Sequence, residues 1–266
     1  LVMWDPGTYL RYDDERSRPF HDLLARVDAD RPRAVVDLGC GPGTLTATLA
    51  RRWPDARISG LDSSPEMIGR ARTLDTTVDF TVGDVTDWRP APDVDVLVAN
   101  AVLQWVPDHP ALLRRWAHAL PPGGWLAFQV PGNFTGPSHR ALREVAEDPR
   151  WAATVRPLLR EDPVDDPVGY ATALTAAGCA VDAWETTYLH RLPAPADAEH
   201  PVLTWLDGTA LRPVRAVLDD TALAGFRAAL ENLLARAYPV RQGQVYFPFR
   251  RIFVVARTGA RHKEPQ

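Results

Sequence analysis

Asp37, Gly39, Gly41 and Gly43 stand close together in the stretch Val35-Val36-Asp37-Leu38-Gly39-Cys40-Gly41-Pro42-Gly43. An apolar, β-branched run feeds an acid, three glycines alternate, and a helix-like segment begins near Thr44. Glycines here can take positive φ and bring bare backbone against a ligand, while the unpaired amides of the following helix face the same point. A carboxylate two residues ahead of the first glycine is placed to accept hydrogen bonds from an ammonium group. The spacing is G-x-G-x-G, with Thr44 where a dinucleotide fingerprint wants its third glycine. An amino-acid-bearing nucleoside therefore suits this loop better than a pyrophosphate.

Further polar residues fall at the ends of expected strands. Ala56-Arg57-Ile58-Ser59-Gly60-Leu61-Asp62 reads as a second strand, and Asp62 lies 19 positions after Gly43, near the spacing at which an acid meets ribose hydroxyls. Helix capping is the competing role, but Ser63, Ser64, Pro65 and Glu66 already supply that signal, so the ribose role is expected. Val78 to Val82 alternates as a third strand and runs into Gly83-Asp84-Val85. Val94 to Ala99 is an apolar strand suited to the sheet centre. Asn100 follows it, at the carboxyl end where polar residues of a parallel sheet face the ligand crevice. Trp105 comes next, either over the ligand or in the core.

These segments resemble the class I methyltransferases that use S-adenosyl-L-methionine, and Val35 to Gly43 is similar to their motif I. The resemblance implies an α/β fold with a Rossmann-like sheet, mostly parallel with an antiparallel last strand, and S-adenosyl-L-homocysteine as product. It implies that Asp37 and the glycine loop hold the methionine end of the cofactor. It also implies that Asp84 accepts from the adenine amine and that the Val85 amide meets the ring. The expected cofactor set is Asp37, Gly39, Gly41, Asp62, Ser63, Met67, Asp84, Val85, Asn100 and Trp105. Methyltransferases acting on adenine, cytosine or glutamine nitrogen carry a polar residue, two prolines and an aromatic at the fourth strand. Asn100-Ala101-Val102-Leu103 departs from that pattern and argues against that chemistry.

The elements that must position these residues follow from length and periodicity. The chain has 266 residues, a formal net charge of -4 and 24% charged residues, which suits one α/β domain with an insertion. No basic block marks a nucleic-acid partner. Cys40 and Cys179 are too few for a disulfide framework or a zinc site, so a reduced cytoplasmic setting and no metal are expected. No apolar run suits a membrane span, and the first residues lack the form of a signal peptide. Leu45 and Leu49 with Trp53 predict the first helix after the loop, and Leu112, Leu113, Trp116 and Leu120 another over about 110–120. Pro121-Pro122-Gly123-Gly124 ends that helix and launches a fifth strand, Trp125 to Val130. Residues 138–178 read as proline-broken helices, with strands at Cys179 to Tyr188 and Arg251 to Arg257. The more than 60 residues between those strands carry Leu223, Phe226, Leu230, Leu233 and Leu234 at helical spacing. A helical lid insertion over about 190–246 is therefore expected within a single domain, with a covering segment at 1–30 and a flexible tail at 258–266.

The likeness extends beyond the cofactor motifs. Trp4-Asp5-Pro6, Glu15-Arg16-Ser17-Arg18-Pro19, Leu61 to Ile68, Leu103-Gln104-Trp105-Val106-Pro107-Asp108-His109, Trp184 to Tyr188, Leu211-Arg212-Pro213 and Phe247-Pro248-Phe249-Arg250-Arg251 resemble the trans-aconitate 2-methyltransferase family. That resemblance implies methylation of one carboxylate of a tricarboxylate substrate. A carboxylate is ionised at neutral pH and attacks the methyl carbon in line without a general base, so no catalytic residue is expected. The remaining carboxylates need local cations, and arginine forks suit them. Arg16, Arg18 and Arg250 are the candidates, with Tyr9, His190 and Tyr238 as hydrogen-bond donors. Other readings stay open at this point: an O- or C-methyltransferase for a phenol, lipid precursor or other organic acid, or a cofactor-binding protein without turnover. A nicotinamide-dependent oxidoreductase is disfavoured by the glycine spacing and by Asp84.

Overall fold

The computed structural model describes residues 13–159 and 163–259, with side chains from residue 17 onward in the first helix. Tyr9 lies outside the described residues, and for Arg16 only the backbone is described. The chain divides into two compact units.

Among the described residues, the first unit comprises Asp14–Pro131, Val164–Thr186 and 251–259. It holds α1 (Asp13–Leu24), β1 (Ala34–Leu38), α2 (Thr44–Arg52), β2 (Arg57–Asp62), α3 (Pro65–Ala71), β3 (Asp79–Val82) and β4 (Val94–Asn100). α4 (His109–Ala119), β5 (Trp125–Pro131) and α7 (Pro167–Ala176) belong to it as well, while α5 (Pro137–Ala146) and α6 (Ala152–Val155) fall in the other unit. Two long strands, β6 (Cys179–Pro193) and β7 (Gln244–Thr258), begin in one unit and end in the other.

The strand order is β3-β2-β1-β4-β5-β7-β6. Pairs β2–β3, β1–β2, β1–β4 and β4–β5 are parallel, whereas β7 runs antiparallel to β5. A mostly parallel sheet with an antiparallel last strand is what the motif I likeness implied. Every residue of β1 is buried, as expected for a central strand covered on both faces. Its apolar run reads continuously for that reason. The chain's winding reverses between β1 and β4, and open α/β sheets bind ligands at the carboxyl ends of such a pair. Trp116, Phe128, Leu97, Tyr170 and Val254 fill this unit's core.

Among the described residues, the second unit comprises Gly132–Pro163 and Thr187–Arg250. It contains α5 (Pro137–Ala146), α6 (Ala152–Val155), α8 (Pro201–Asp207), α9 (Arg212–Arg215) and α10 (Asp220–Ala237). Its own core gathers Trp151, Trp205, Phe226, Leu230, Leu234 and Phe247. The insertion expected at about 190–246 thus folds together with helices from 132–163, which lie far away in sequence.

Two boundaries differ from expectation. β6 runs on to Pro193 and β7 begins at Gln244. In their outer halves His190, Leu192, Val245, Phe247 and Phe249 are buried while Leu189, Tyr246 and Pro248 are exposed. This is period-two burial, which histidine and proline conceal in the sequence. The flexible tail was expected from position 258, yet Thr258 closes β7. Its hydroxyl donates to Pro121 O and accepts from the Gly124 amide at 2.9 Å, so the turn before β5 holds it in place.

Gly43, in the turn that starts α2, has no room for a side chain. It sits at φ 79°, and a Cβ there would lie 2.6 Å from Phe80 Cζ and 2.8 Å from Ala71 Cβ. Gly43→Ala should cost about 2–4 kcal/mol in urea unfolding, from strain and overpacking together. Gly69→Ala, inside α3 with open space around it, should be neutral or stabilising by up to about 1 kcal/mol. Equal effects at both positions would refute the packing argument.

Candidate cofactor-binding site

The site is built at the carboxyl ends of β1, β2 and β4. Gly39, Gly41 and Gly43 all have positive φ, at 76°, 56° and 79°. At Gly39 a Cβ would stand 2.6 Å from Val102 Cβ, and at Gly43 it would meet Phe80. These two glycines are therefore required by close packing as well as by conformation, and the backbone-to-ligand role expected for all three is not their only reason. The Gly41 amide donates to Asp62 Oδ2 at 2.9 Å.

Asp37 is 2% exposed. Its Oδ2 accepts from the Thr46 hydroxyl at 2.6 Å, while Oδ1 is buried with no hydrogen-bond partner. Burial pushes its pKa up to about 7, the Thr46 hydrogen bond opposes this, and the Asp62 charge adds to it. A buried, unpartnered carboxylate oxygen is costly unless a donor or cation meets it. An amino-acid ammonium supplies both, so the residues present fit the methionine end of S-adenosyl-L-methionine. Thr46 did not emerge from sequence reasoning. Its signal was a hydroxyl on the buried side of the helix that follows the glycine loop.

Asp62 ends β2, and its carboxylate accepts from the Gly41 amide and, at 2.9 Å, from the Ser64 amide. Ser64 in turn caps α3, accepting from the Met67 amide at 3.3 Å. Asp62 thus ties the glycine loop to the start of α3. Ser63 is exposed, whereas the Met67 side chain is buried. Asp84 is exposed and accepts from both the amide and the hydroxyl of Thr86, which holds its carboxyl below the usual range. Val85 is buried in the core beside it. Asn100 closes β4, and its Oδ1 accepts from Gln129 Nε2 at 2.7 Å. Trp105 lies on a short turn, Leu103–Trp105, and is 45% exposed, which removes the core reading.

The residues expected at the substrate divide between the units. In the sheet unit, Arg18 is exposed on α1, with Nε 3.8 Å from an Asp22 carboxylate oxygen. In the helical unit, Arg250 donates from Nη1 to Gly132 O at 3.2 Å. His190 is buried there, stacked on Trp205 with ring centroids 5.0 Å apart and flanked by Phe247 and Phe249. Tyr238 is 5% exposed, and its hydroxyl accepts from the Ser138 amide at 3.0 Å, in the first turn of α5. Both side chains are buried in that unit. No helix among the described residues is long and apolar enough to cross a membrane. Cys40 and Cys179 are free and buried.

A strand order of this kind, with a glycine loop after β1 and acids after β2 and β3, defines a class I methyltransferase fold. A family model described as a methyltransferase domain matches residues 9–183, so the protein is a methyltransferase. The trans-aconitate 2-methyltransferase of Mycobacterium sp. (strain KMS) is 57% identical over 264 residues, covering 97% of this chain and 100% of that protein. The enzyme of that name from Mycobacterium tuberculosis (strain ATCC 25177 / H37Ra) is 51% identical over 260 residues, 97% of each chain. The chain belongs to the trans-aconitate 2-methyltransferase family. Among solved structures, Haemonchus contortus phosphoethanolamine N-methyltransferase 2 with S-adenosylhomocysteine aligns over 91% of this chain and 52% of its own. Its TM-score is 0.53 at 15% identity, a likeness of fold alone.

In the ligand-free protein Asp37 holds its proton below about pH 7, and an ammonium ligand needs it ionised. Affinity for S-adenosyl-L-homocysteine should therefore fall by up to about tenfold per pH unit below about pH 7 and level off above it, with proton release on binding. Asp37→Asn should weaken binding and flatten this dependence, which calorimetry between about pH 5.5 and 8.5 reads directly. The same raised pKa means that Asp37 lowers ligand-free stability as pH rises from about 4 to 7, because only the folded state keeps the proton. Separately, Tyr238→Phe leaves the Ser138 amide without its acceptor and should cost about 1–3 kcal/mol of stability, measured by urea unfolding.

Proposed function

We propose that this methyltransferase takes its methyl group from S-adenosyl-L-methionine and places it on one carboxylate of trans-aconitate, giving a monomethyl ester and S-adenosyl-L-homocysteine. The observation that carries the reading is near-full-length identity, up to 57% over 97% of the chain, with proteins named for that reaction. The fit of Asp37 to an ammonium group supports the cofactor half.

The residues that would hold the cofactor are Asp37 and the Gly39–Gly41 turn at the amino-acid end, Asp62 and Ser63 at the ribose, and Asp84 with the Val85 amide at the base. Met67, Asn100 and Trp105 complete the set. Bound there, the cofactor supplies an electrophilic methyl group on a sulfonium, and its transfer to a carboxylate removes both charges, which a water-poor site favours. Asp37 stays ionised against the ammonium and keeps the amino-acid end oriented. The glycine turn presents backbone amides where side chains would collide. Because the acceptor is already an anion at neutral pH, the chain's task is to align it in line with the methyl group and hold its other charges. Arg16, Arg18 and Arg250 suit that holding role, with Tyr9, His190 and Tyr238 as further contacts.

Labelled S-adenosyl-L-methionine offered with trans-aconitate, cis-aconitate, isocitrate, citrate, a fatty acid and a phenol tests the reading. The highest kcat/KM should fall on trans-aconitate. Label on the phenol alone, or on nothing while S-adenosyl-L-homocysteine still binds, would sink it. Arg18→Ala should raise KM for the acid about tenfold and leave affinity for S-adenosyl-L-homocysteine within about twofold, since a charged contact is lost at the acceptor alone.

A further inference from the structure

Three polar side chains lie on one face of three neighbouring strands in the sheet unit. Asn100 on β4 is directly opposite Gln129 on β5, Gln129 is opposite Phe253 on β7, and Arg251 lies two residues from Phe253 on the same face. Arg251 is 5% exposed and donates from Nη1 to Gln129 Oε1 at 3.3 Å. Gln129 is fully buried and donates from Nε2 to Asn100 Oδ1 at 2.7 Å.

The direction of this chain is dictated by its first member. A guanidinium has donors and no acceptor, so the Gln129 atom facing it must be the oxygen. The Gln129 amide nitrogen then faces Asn100, which must answer with its oxygen. Asn100 is half-buried at the carboxyl end of β4, beside β1, with its oxygen taken inside the sheet. What it presents on its open side is its NH2 group, a hydrogen-bond donor.

We propose that Arg251 and Gln129 are positioning residues that lock the Asn100 amide with its NH2 toward the crevice, and that Asn100 thereby selects an acceptor bearing a carboxylate. This rests on the methyl-acceptor class proposed above. A neutral amide donor held in this way favours an ionised oxygen acceptor without adding a cation beside the reacting centre. A free-rotating asparagine would offer donor and acceptor alike and discriminate weakly. The energetic basis is the Gln129 amide, buried with both of its polar ends matched, so that reversing it would set NH2 against a guanidinium.

The test uses Gln129→Glu and Gln129→Met in the full chain. Glutamate has the shape of glutamine and accepts from Arg251, but it cannot donate to Asn100, so Asn100 turns its NH2 inward and shows its oxygen to the crevice. Methionine leaves Asn100 free to take either orientation. Trans-aconitate binding to the S-adenosyl-L-homocysteine complex, read by calorimetry, should weaken on the order of tenfold in Gln129→Glu and less in Gln129→Met. KM should move in step, while affinity of the free protein for S-adenosyl-L-homocysteine, which Asn100 would also touch, should fall by clearly less than acid binding does. A role in packing alone reverses the order, because glutamate is the closer mimic. That order, or unchanged acid binding in Gln129→Glu, overturns the relay, as does a loss confined to S-adenosyl-L-homocysteine. Wild-type protein that binds and methylates no trans-aconitate overturns the acceptor reading instead, so the two failures are separable.

Discussion

One carboxylate fastens the glycine loop to the sheet. Asp62 accepts from the Gly41 amide with one oxygen and from the Ser64 amide with the other, so the loop after β1, the end of β2 and the start of α3 are joined at a single side chain. The Gly39 and Cys40 amides add to this by donating to Leu61 O at 2.7 and 3.1 Å. With the loop so held, Val102 packs on Gly39 and Phe80 on Gly43, closer than any Cβ would allow. The glycines in this turn are as much a consequence of what surrounds them as of what they would bind. The place of α2, and with it Thr46, follows from the same turn.

From that geometry comes the electrostatic character of the site. Two acids, Asp37 and Asp62, face a common loop, and the buried one is pushed toward neutrality. Thr46 satisfies one of its oxygens and leaves the other for a ligand. Across from it, β4 ends in an amide whose oxygen is already used. The switch point between β1 and β4 therefore offers an acceptor from one strand and a donor from the other. Neither polarity depends on the -4 net charge of the chain, because both are set by burial and by fixed partners.

The helical unit is organised by different means. Arg227 forms ion pairs with both Glu199 and Asp207, joining α10 to the segment around α8. The His200 amide donates to Glu231 at 2.7 Å, and a His200 ring nitrogen lies 3.0 Å from Tyr238 O. Trp205, Phe247 and Phe249 surround His190, so that a residue type common at active sites is here enclosed by rings. A second hydrophobic core, with its own polar ties, explains why this part of the chain forms a unit by itself.

Local pattern was enough for the sheet unit's order of elements, the glycine loop, and the acids Asp37, Asp62 and Asp84. Each rests on residue type, strand-end position and short spacing, which the chain carries in linear form. Segments resembling known methyltransferases supplied the reaction, and the 57% identity of a relative over 97% of the chain makes that family membership plain. What the linear pattern could not carry was every feature made by partners distant in sequence. Thr46 on Asp37, Gln129 and Arg251 behind Asn100, the joining of 132–163 with the insertion, and the enclosure of His190 and Tyr238 are of this kind. Gln129 inside the apolar run Trp125 to Val130 was the one visible hint, since a buried amide must find partners. Only tertiary structure decides which partners, because strand register and helix packing bring together side chains that no periodicity relates.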